Sequence, residues 1–219
     1  MERARQHCSQ GASVWTFATN DEDAEPDVIL ACAGDVPTLE TCAASWLLQK
    51  YVPGIKVRVV NIVDLSVLMS PNDHPHGMDD FSFEAIFTKD IPVIFAFHGY
   101  RWVIHPMVHG RANEDRFHVR GFMDRGTTTT PFDMVVQNNM SRFHLAMDAL
   151  KYLKRRPSRV SEIIDMFDRK LYEHHCYIRE DLQDMPEITN WQWTADFSEP
   201  ANPPPLAKGH RVGQLFSDA

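Results

Sequence analysis

Residues Val28-Ile29-Leu30-Ala31-Cys32-Ala33 form a continuous apolar run that is closed by Gly34-Asp35, and this run indicates the fold class of the chain. Such runs are typical of strands buried on both faces of a parallel sheet. Thr38 is predicted to cap a helix that ends near Val52. Residues 56–63 (KVRVVNIV) predict a second strand, rich in β-branched side chains. Together these segments fit a right-handed crossover between parallel strands.

The same alternation continues along the chain. Residues 92–97 (PVIFAF) and 117–122 predict two further strands, and Trp191 and Trp193 are expected to dock back on the domain. Helices are predicted to begin at Asp79 or Asp80, at Trp102, after a Thr130 cap, at Ser141 and at Val160. Leu39 is expected on the apolar face of the helix capped by Thr38. Alternating strands and helices predict a three-layer α/β fold with an open sheet.

Composition places the chain among globular proteins, since 43% of its 219 residues are hydrophobic and 24% are charged. The net charge of −8 argues against nucleic acid as a partner, and nothing predicts binding to a membrane. The cysteines have neither disulfide-framework nor zinc-site spacing, which fits a reducing compartment. The first residues contain no apolar run typical of a signal peptide, so we expect a cytoplasmic domain.

The two ends of the chain differ from its middle. Val14, Trp15 and Phe17 are apolar, but an acidic run follows them and ends at Pro26. Residues 1–26 are therefore predicted to pack their aromatic side chains on something other than this domain and then to form an exposed connector. Residues 27–193 are predicted to form the α/β domain. Residues 194–219 contain three consecutive prolines and predict a flexible tail.

Candidate ligand-binding residues follow two of the predicted strands. Gly34 and Asp35 lie between a strand and a helix, where α/β proteins place phosphate sites, although a tight turn that caps the helix is the simpler interpretation. His98, Tyr100 and Arg101 follow the third predicted strand and could hold a phosphate or a carboxylate. A structural or interdomain role is the alternative for these three residues.

Three further patterns also have structural alternatives. Thr128 lies among threonines after Gly126, which could form an anion-binding turn or cap the next helix. His105 and His109 have the spacing of metal ligands on a helix, but no glutamate lies between them, so interface histidines are the preferred interpretation. Gly34-Asp35-Val36 lacks the second glycine of a thiamine diphosphate signature, and Asn61 has no neighbouring asparagine.

Several unusual segments together resemble one family. They are GDVPTLE (34–40), FTKDIPVIFAFHGY (87–100), RGTTTTPFDM (125–134), RFHLAMDAL (142–150) and DMPEITNW (184–191). They resemble the C-terminal domain of phosphoketolases, over residues 7–193. Phosphoketolases are thiamine diphosphate enzymes that cleave xylulose 5-phosphate or fructose 6-phosphate. The resemblance implies a transketolase C-terminal fold with a mixed, mostly parallel sheet, and it makes residues 1–26 an interdomain linker.

The resemblance also implies where the chemistry of such an enzyme lies. Phosphoketolases form acetyl phosphate, and their thiamine diphosphate and magnesium are held by the N-terminal and middle domains of a homodimer. None of the family's catalytic, cofactor-binding or metal-binding residues has a matching motif in this chain, so we expect it to bind no cofactor and to be inactive alone. Its expected roles are structural, dimer-supporting and regulatory. The alternative is a free-standing sensor of nucleotides or phosphorylated metabolites, using the crevice near Gly34, His98 and Tyr100.

Overall fold

A computed structural model describes residues 1–21, 24–124, 126–155 and 158–197 of the chain. Most of the predicted tail, residues 198–219, lies outside these described residues. The strands are β1 (Ala12–Val14), β2 (Val28–Ala33), β3 (Val57–Ile62), β4 (Val93–Phe97) and β5 (Phe117–Gly121). The α-helices are α1 (Glu2–Gln10), α2 (Asp35–Tyr51), α3 (Asp80–Phe87), α4 (Ile104–Met107), α5 (Pro131–Gln137), α6 (Arg142–Tyr152), α7 (Val160–Asp181) and α8 (Pro186–Thr189).

The described strands form one sheet in the order β1-β3-β2-β4-β5. β2 pairs in parallel with β3 and with β4, and β4 pairs in parallel with β5. β1 pairs with β3 in the antiparallel direction, which places Ala12 opposite Ile62. The sheet is therefore mixed and mostly parallel, which confirms the predicted α/β fold class.

Helices cover both faces of the sheet. Leu30 of β2 and Val59 of β3 pack in one hydrophobic core with side chains of α2, α6 and α7. Ile29 and Ala31 of β2 pack in a second core with side chains of α3 and α4. Alternate residues of β2 therefore face opposite helical layers, as expected for a continuous apolar strand in the centre of a parallel sheet.

Helix α2 begins earlier than the sequence predicts. Its N-cap is Gly34, and Thr38 lies inside the first turn, where its hydroxyl donates to the Gly34 carbonyl oxygen at 2.5 Å. The prediction of a Thr38 cap was wrong because Gly34 has a φ of 106°, which lets the chain enter the helix directly after β2. Leu39 is exposed rather than on the buried face.

The other helix starts follow the sequence closely. The Asp79 carboxylate accepts from the Ser82 amide at the start of α3, and the Thr130 hydroxyl accepts from the Asp133 amide at the start of α5. Ser141 caps α6 in the same way. These predicted caps are confirmed. They could be predicted because an N-cap side-chain oxygen accepts a hydrogen bond from an amide only a few residues later in the sequence.

Sequence analysis assigned no helix or strand to residues 1–26, but the structure places α1 and β1 there. The Trp15 amide donates to the Val59 carbonyl at 2.8 Å, so the segment after β1 continues along β3. The Trp15 and Phe17 rings lie 5.4 Å apart, and Phe17 contacts Trp193 edge-on at 5.5 Å. The aromatic side chains therefore pack on this same domain, and Trp193 docks back as predicted. The division into a linker, a domain and a tail stays a prediction.

Among the described helices, none is both long and apolar enough to cross a membrane.

Candidate functional site at the carboxyl edge of the sheet

A crevice of about 710 Å³ lies where β2, β3 and β4 end. β2 connects through α2 to β3 on one side, whereas β4 connects to β5 on the other, so the connections that leave these two neighbouring strands run in opposite directions. This arrangement opens a space beyond the carboxyl ends of the strands, which is the usual ligand position in open α/β sheets. Its walls include Trp15, Asp35, Thr38, Asn61 and His98.

Gly34, Asp35 and His98 are brought together at this crevice. A Cβ atom on Gly34 would lie 2.6 Å from the Cβ of His98, so glycine permits the close approach of the segments that follow β2 and β4. The His98 Nδ1 lies 3.1 Å from the Asp35 Oδ1. The His98 ring also packs edge-on against Phe122, with ring centroids 5.3 Å apart. The structure therefore brings together Gly34, Asp35 and His98, which the sequence placed after two of the predicted strands.

Asp35 sets the electrostatics of the turn between β2 and α2. Its side chain is 86% exposed, and the Val36 amide, which donates to its carboxylate, together with the nearby His98 holds the Asp35 pKa below its usual value. A carboxylate in the first turn of a helix also interacts favourably with the helix dipole. Because Asp35 already places a negative charge there, a phosphate ligand would meet a like charge, and the turn favours neutral or cationic groups.

A chain of hydrogen bonds lies along one wall of the crevice. The Asn61 amide nitrogen donates to the Thr38 hydroxyl at 3.0 Å, and the Asn61 Oδ1 is 2.8 Å from the His7 Nε2. The His7 Nε2 donates to this amide oxygen, and the His7 Nδ1 lies 2.7 Å from the Ser13 hydroxyl oxygen. The Thr38 hydroxyl in turn donates to the Gly34 carbonyl oxygen.

These hydrogen bonds connect α1, β1, β3 and α2. Sequence reasoning noted Asn61 but missed its partners, because His7 lies 54 residues away and no local pattern connects the two positions. Asn61 is buried, and both ends of its amide are used within the protein. The polar wall of the crevice therefore holds secondary-structure elements together.

Tyr100, Arg101 and Thr128 do not line the crevice. Tyr100 is exposed and stacks on Trp102, with ring centroids 6.2 Å apart and planes inclined by 19°. Arg101 is exposed in the turn that follows, and Thr128 is exposed in the loop before α5. The structure thus separates these three candidates from Gly34, Asp35 and His98, and their role in binding stays a prediction.

His105 and His109 border a second, more polar cavity of about 510 Å³ beside Phe117. The His109 Nδ1 lies 3.1 Å from the Glu114 Oε1, and the Gly110 amide donates to the other Glu114 oxygen at 2.6 Å. Glu114 is thereby engaged by its own loop, and these bonds hold its pKa below the usual value.

The residues at the crevice do not fit a thiamine diphosphate–magnesium site. The Asn61 amide is engaged by Thr38 and His7, and the Asp35 carboxylate accepts from Val36 and faces His98. In the part of the chain that the structure describes, no group of three or more histidine, cysteine, aspartate or glutamate side chains could hold a metal ion. No step of a reaction is assigned to this chain through that cofactor.

Comparison with solved structures gives distant matches. The transketolase of Pichia stipitis in complex with sedoheptulose 7-phosphate matches with a TM-score of 0.47 and 15% identity, covering 67% of this chain and 18% of that one. A split-gene transketolase, described as an inactive β4 tetramer, matches with a TM-score of 0.41 and 15% identity over 67% of this chain and 44% of that one.

Comparison with curated sequences gives much closer relatives. A protein named "Probable phosphoketolase" from Brucella abortus is 52% identical over 194 residues, which are 89% of this chain and 25% of the relative. "Probable phosphoketolase 2" from a Nostoc species is 49% identical over 193 residues, which are 88% of this chain and 24% of the relative. The chain thus spans about a quarter of the length of these relatives. The sequence profile described as "XFP C-terminal domain" matches residues 1–193, and the chain belongs to that family.

Proposed function

We propose that this chain works as the C-terminal domain of a thiamine-diphosphate-dependent phosphoketolase. The reaction of the whole polypeptide would convert a ketose phosphate and inorganic phosphate into acetyl phosphate, a shorter aldose phosphate and water. The family match over residues 1–193 and the names of the relatives support this assignment. The relatives are about four times as long as the matched part, which supports further domains in the same enzyme. The family match does not favour the free-standing sensor.

The contribution proposed for this chain is structural. The observation that carries it is the chain of hydrogen bonds from Ser13 through His7, Asn61 and Thr38 to Gly34. Polar groups that act on a substrate must be available to it, whereas the Asn61 amide and the Thr38 hydroxyl of the crevice wall are engaged within the domain. The crevice wall therefore serves to fix α1 and β1 onto the sheet.

The remaining assignments follow from the proposed family role. The N-terminal and middle domains of the same polypeptide would hold thiamine diphosphate and magnesium, and the cofactor would supply the carbanion chemistry of the cleavage. This domain would support a homodimer and carry any regulatory contact. The enzyme would act in the cytoplasm.

The test compares this chain alone with a fusion that carries the upstream three quarters of the Brucella abortus relative ahead of Met1. Both are given xylulose 5-phosphate or fructose 6-phosphate, inorganic phosphate, thiamine diphosphate and magnesium, and acetyl phosphate is measured as its hydroxamate. We expect the chain alone to give the blank rate and the fusion to turn over. Turnover by the chain alone, or an inactive fusion, would overturn the proposal.

A further inference from the structure

Exposed apolar side chains recur along the carboxyl edge of the sheet. Val63 follows β3, Leu39 lies just inside α2 after β2, Tyr100 and Trp102 follow β4, and Met123 follows β5. We call these five residues the apolar rim. Trp102 is 66% exposed and Val63 is 52% exposed. Single exposed apolar residues are ordinary, but a series at one edge of a sheet marks an interaction surface.

The five residues lie at one edge because the parallel strands β2, β3, β4 and β5 all end there. The loops after β4 and β5 also lie against each other, since the Phe122 amide donates to the Gly99 carbonyl at 2.9 Å. A Cβ on Gly121 would lie only 2.4 Å from the Arg101 nitrogen. Tyr100 and Trp102 stack on one another in this packed region. The aromatic part of the rim is therefore fixed by backbone contacts beneath it.

The first residues of the chain reach the same edge. β1 runs antiparallel to β3, so Ala12 lies opposite Ile62, and the Val63 amide donates to the Gly11 carbonyl at 2.8 Å. Helix α1 immediately precedes this point, and none of its residues is buried. In the relatives, about three quarters of the length lies outside the matched C-terminal part. The polypeptide that precedes this domain in the family would join it through α1, whose C-terminal end lies at the edge that carries the rim.

We propose that the apolar rim is the surface on which the upstream part of the same polypeptide docks, with α1 as the connection. The proposal rests on the proposed function and adds to it the contact surface. Tyrosine, tryptophan and methionine are enriched in the cores of protein interfaces, and the rim supplies all of these types. The charged residues Asp35, Arg101 and Asp124 are exposed at the same edge and would supply polar contacts within such an interface.

The test is hydroxyl-radical footprinting with mass spectrometry on the 219-residue chain and on its fusion to the upstream part of the Brucella abortus relative. Labelling follows exposed area, so burial of Trp102 from 66% exposure to about a tenth would lower its labelling about sixfold. Tyr100 and Met123 should be protected with it. Tyr172, an exposed residue on α7, is the matched control and should label equally in both samples.

A charged variant gives an independent measure. Trp102→Glu in the fusion should restore labelling at Tyr100 and Met123, whereas Tyr172→Glu should leave their protection intact. An active fusion with an unprotected rim, or with protection at Tyr172 instead, would overturn the docking surface while the proposed function stands. An inactive fusion with a protected rim would support the docking surface and contradict the proposed function. An inactive fusion with an unprotected rim would contradict both proposals. Self-association of the chain alone, abolished by Trp102→Glu, would make a second copy the occupant and would also contradict the proposal.

Discussion

Two carboxylates near the start of α2 have opposite surroundings. Asp35 lies at the crevice, 86% exposed, with its Oδ1 3.1 Å from the His98 Nδ1. Glu40 lies little more than one turn later and is 4% exposed. The Arg142 guanidinium donates to both Glu40 oxygens, at 2.7 and 3.0 Å, and the Arg142 amide donates to one of them at 2.7 Å. One carboxylate faces solvent, while the other joins α2 to α6.

The chemically suggestive pair, Asp35–His98, is thus separate from the structurally important pair, Glu40–Arg142. Exposed ion pairs contribute little to stability, since water and salt screen them. Removing one partner of a buried pair is costly because the other charge remains without compensation. Arg142 also lies over the Trp191 and Phe132 rings, at 5.2 and 5.4 Å. The Glu40–Arg142 pair therefore holds α2, α5, α6 and the segment after α8 in one arrangement.

The largest expected effect comes from breaking the buried pair. Arg142→Ala leaves the Glu40 carboxylate buried without its partner and should lower the free energy of unfolding by about 3–5 kcal/mol. Urea denaturation followed by far-UV circular dichroism measures the loss. The double variant Glu40→Leu/Arg142→Met removes both charges and should recover most of the stability. A loss for Arg142→Ala no larger than that for Asp35→Asn would contradict the comparison.

The next effect is the dependence of stability on pH. Burial lowers the pKa of His144 from 6.5 to about 4, so the folded chain keeps this ring neutral. The unfolded chain binds the extra proton between about pH 6.5 and 4, so stability is fully present above that window and falls by up to about 3 kcal/mol through it. Burial also lowers the pKa of His118 and His174, which adds to the trend in the same direction.

The variant His144→Gln isolates the contribution of this residue. It removes the titrating ring and should flatten the fall in unfolding free energy between about pH 6.5 and 4. Thermal unfolding at several pH values measures the slope for both proteins. An unchanged slope would show that His144 titrates alike in the folded and unfolded chains.

A smaller effect is expected along the crevice wall. Asn61→Ala removes the partner of the His7 Nε2 and of the Thr38 hydroxyl, which should cost about 1–3 kcal/mol. Hydrogen exchange of the α1 amides should also accelerate, because His7 joins α1 to β3 through Asn61. Ser9→Ala lies on the same helix, breaks an exposed local bond to Gln6, and serves as the control. Unchanged exchange in α1 would refute the structural role of the wall.

The smallest effect belongs to the exposed pair. Asp35→Asn and His98→Ala should lower the unfolding midpoint only slightly, because both side chains face solvent at the crevice and Asp35 adds only a helix-dipole interaction. Differential scanning calorimetry of the two variants beside Arg142→Ala makes the comparison direct. A loss in either variant similar to that of Arg142→Ala would show that the crevice turn, rather than the buried pair, holds the domain together.

Local patterns were enough to predict the central strands and most helix starts. β2 is a continuous apolar run, and Asp79, Thr130 and Ser141 cap their helices through bonds to amides within three residues. The sequence did not predict β1, because a strand of three residues is too short to show an alternating pattern and its pairing with β3 is long-range. The start of α2 was misplaced because no local pattern shows that Gly34 takes a φ of 106° and packs against His98.

The candidate site was only partly accessible to sequence reasoning. Gly34, Asp35 and His98 could be placed together, because residues that follow parallel strands meet at one edge of the sheet. The Glu40–Arg142 pair spans 102 residues and the His7–Asn61 pair spans 54 residues. No local periodicity connects such positions, so only the folded chain reveals them.

The most direct test of the central claim is the size of the native polypeptide that carries these peptides. Proteins from the source organism are separated by size, and each fraction is searched by mass spectrometry for peptides of residues 1–193. We expect a polypeptide about four times the length of the matched part, with peptides that precede Met1, as in the relatives. A native product near 25.2 kDa without upstream peptides would contradict it.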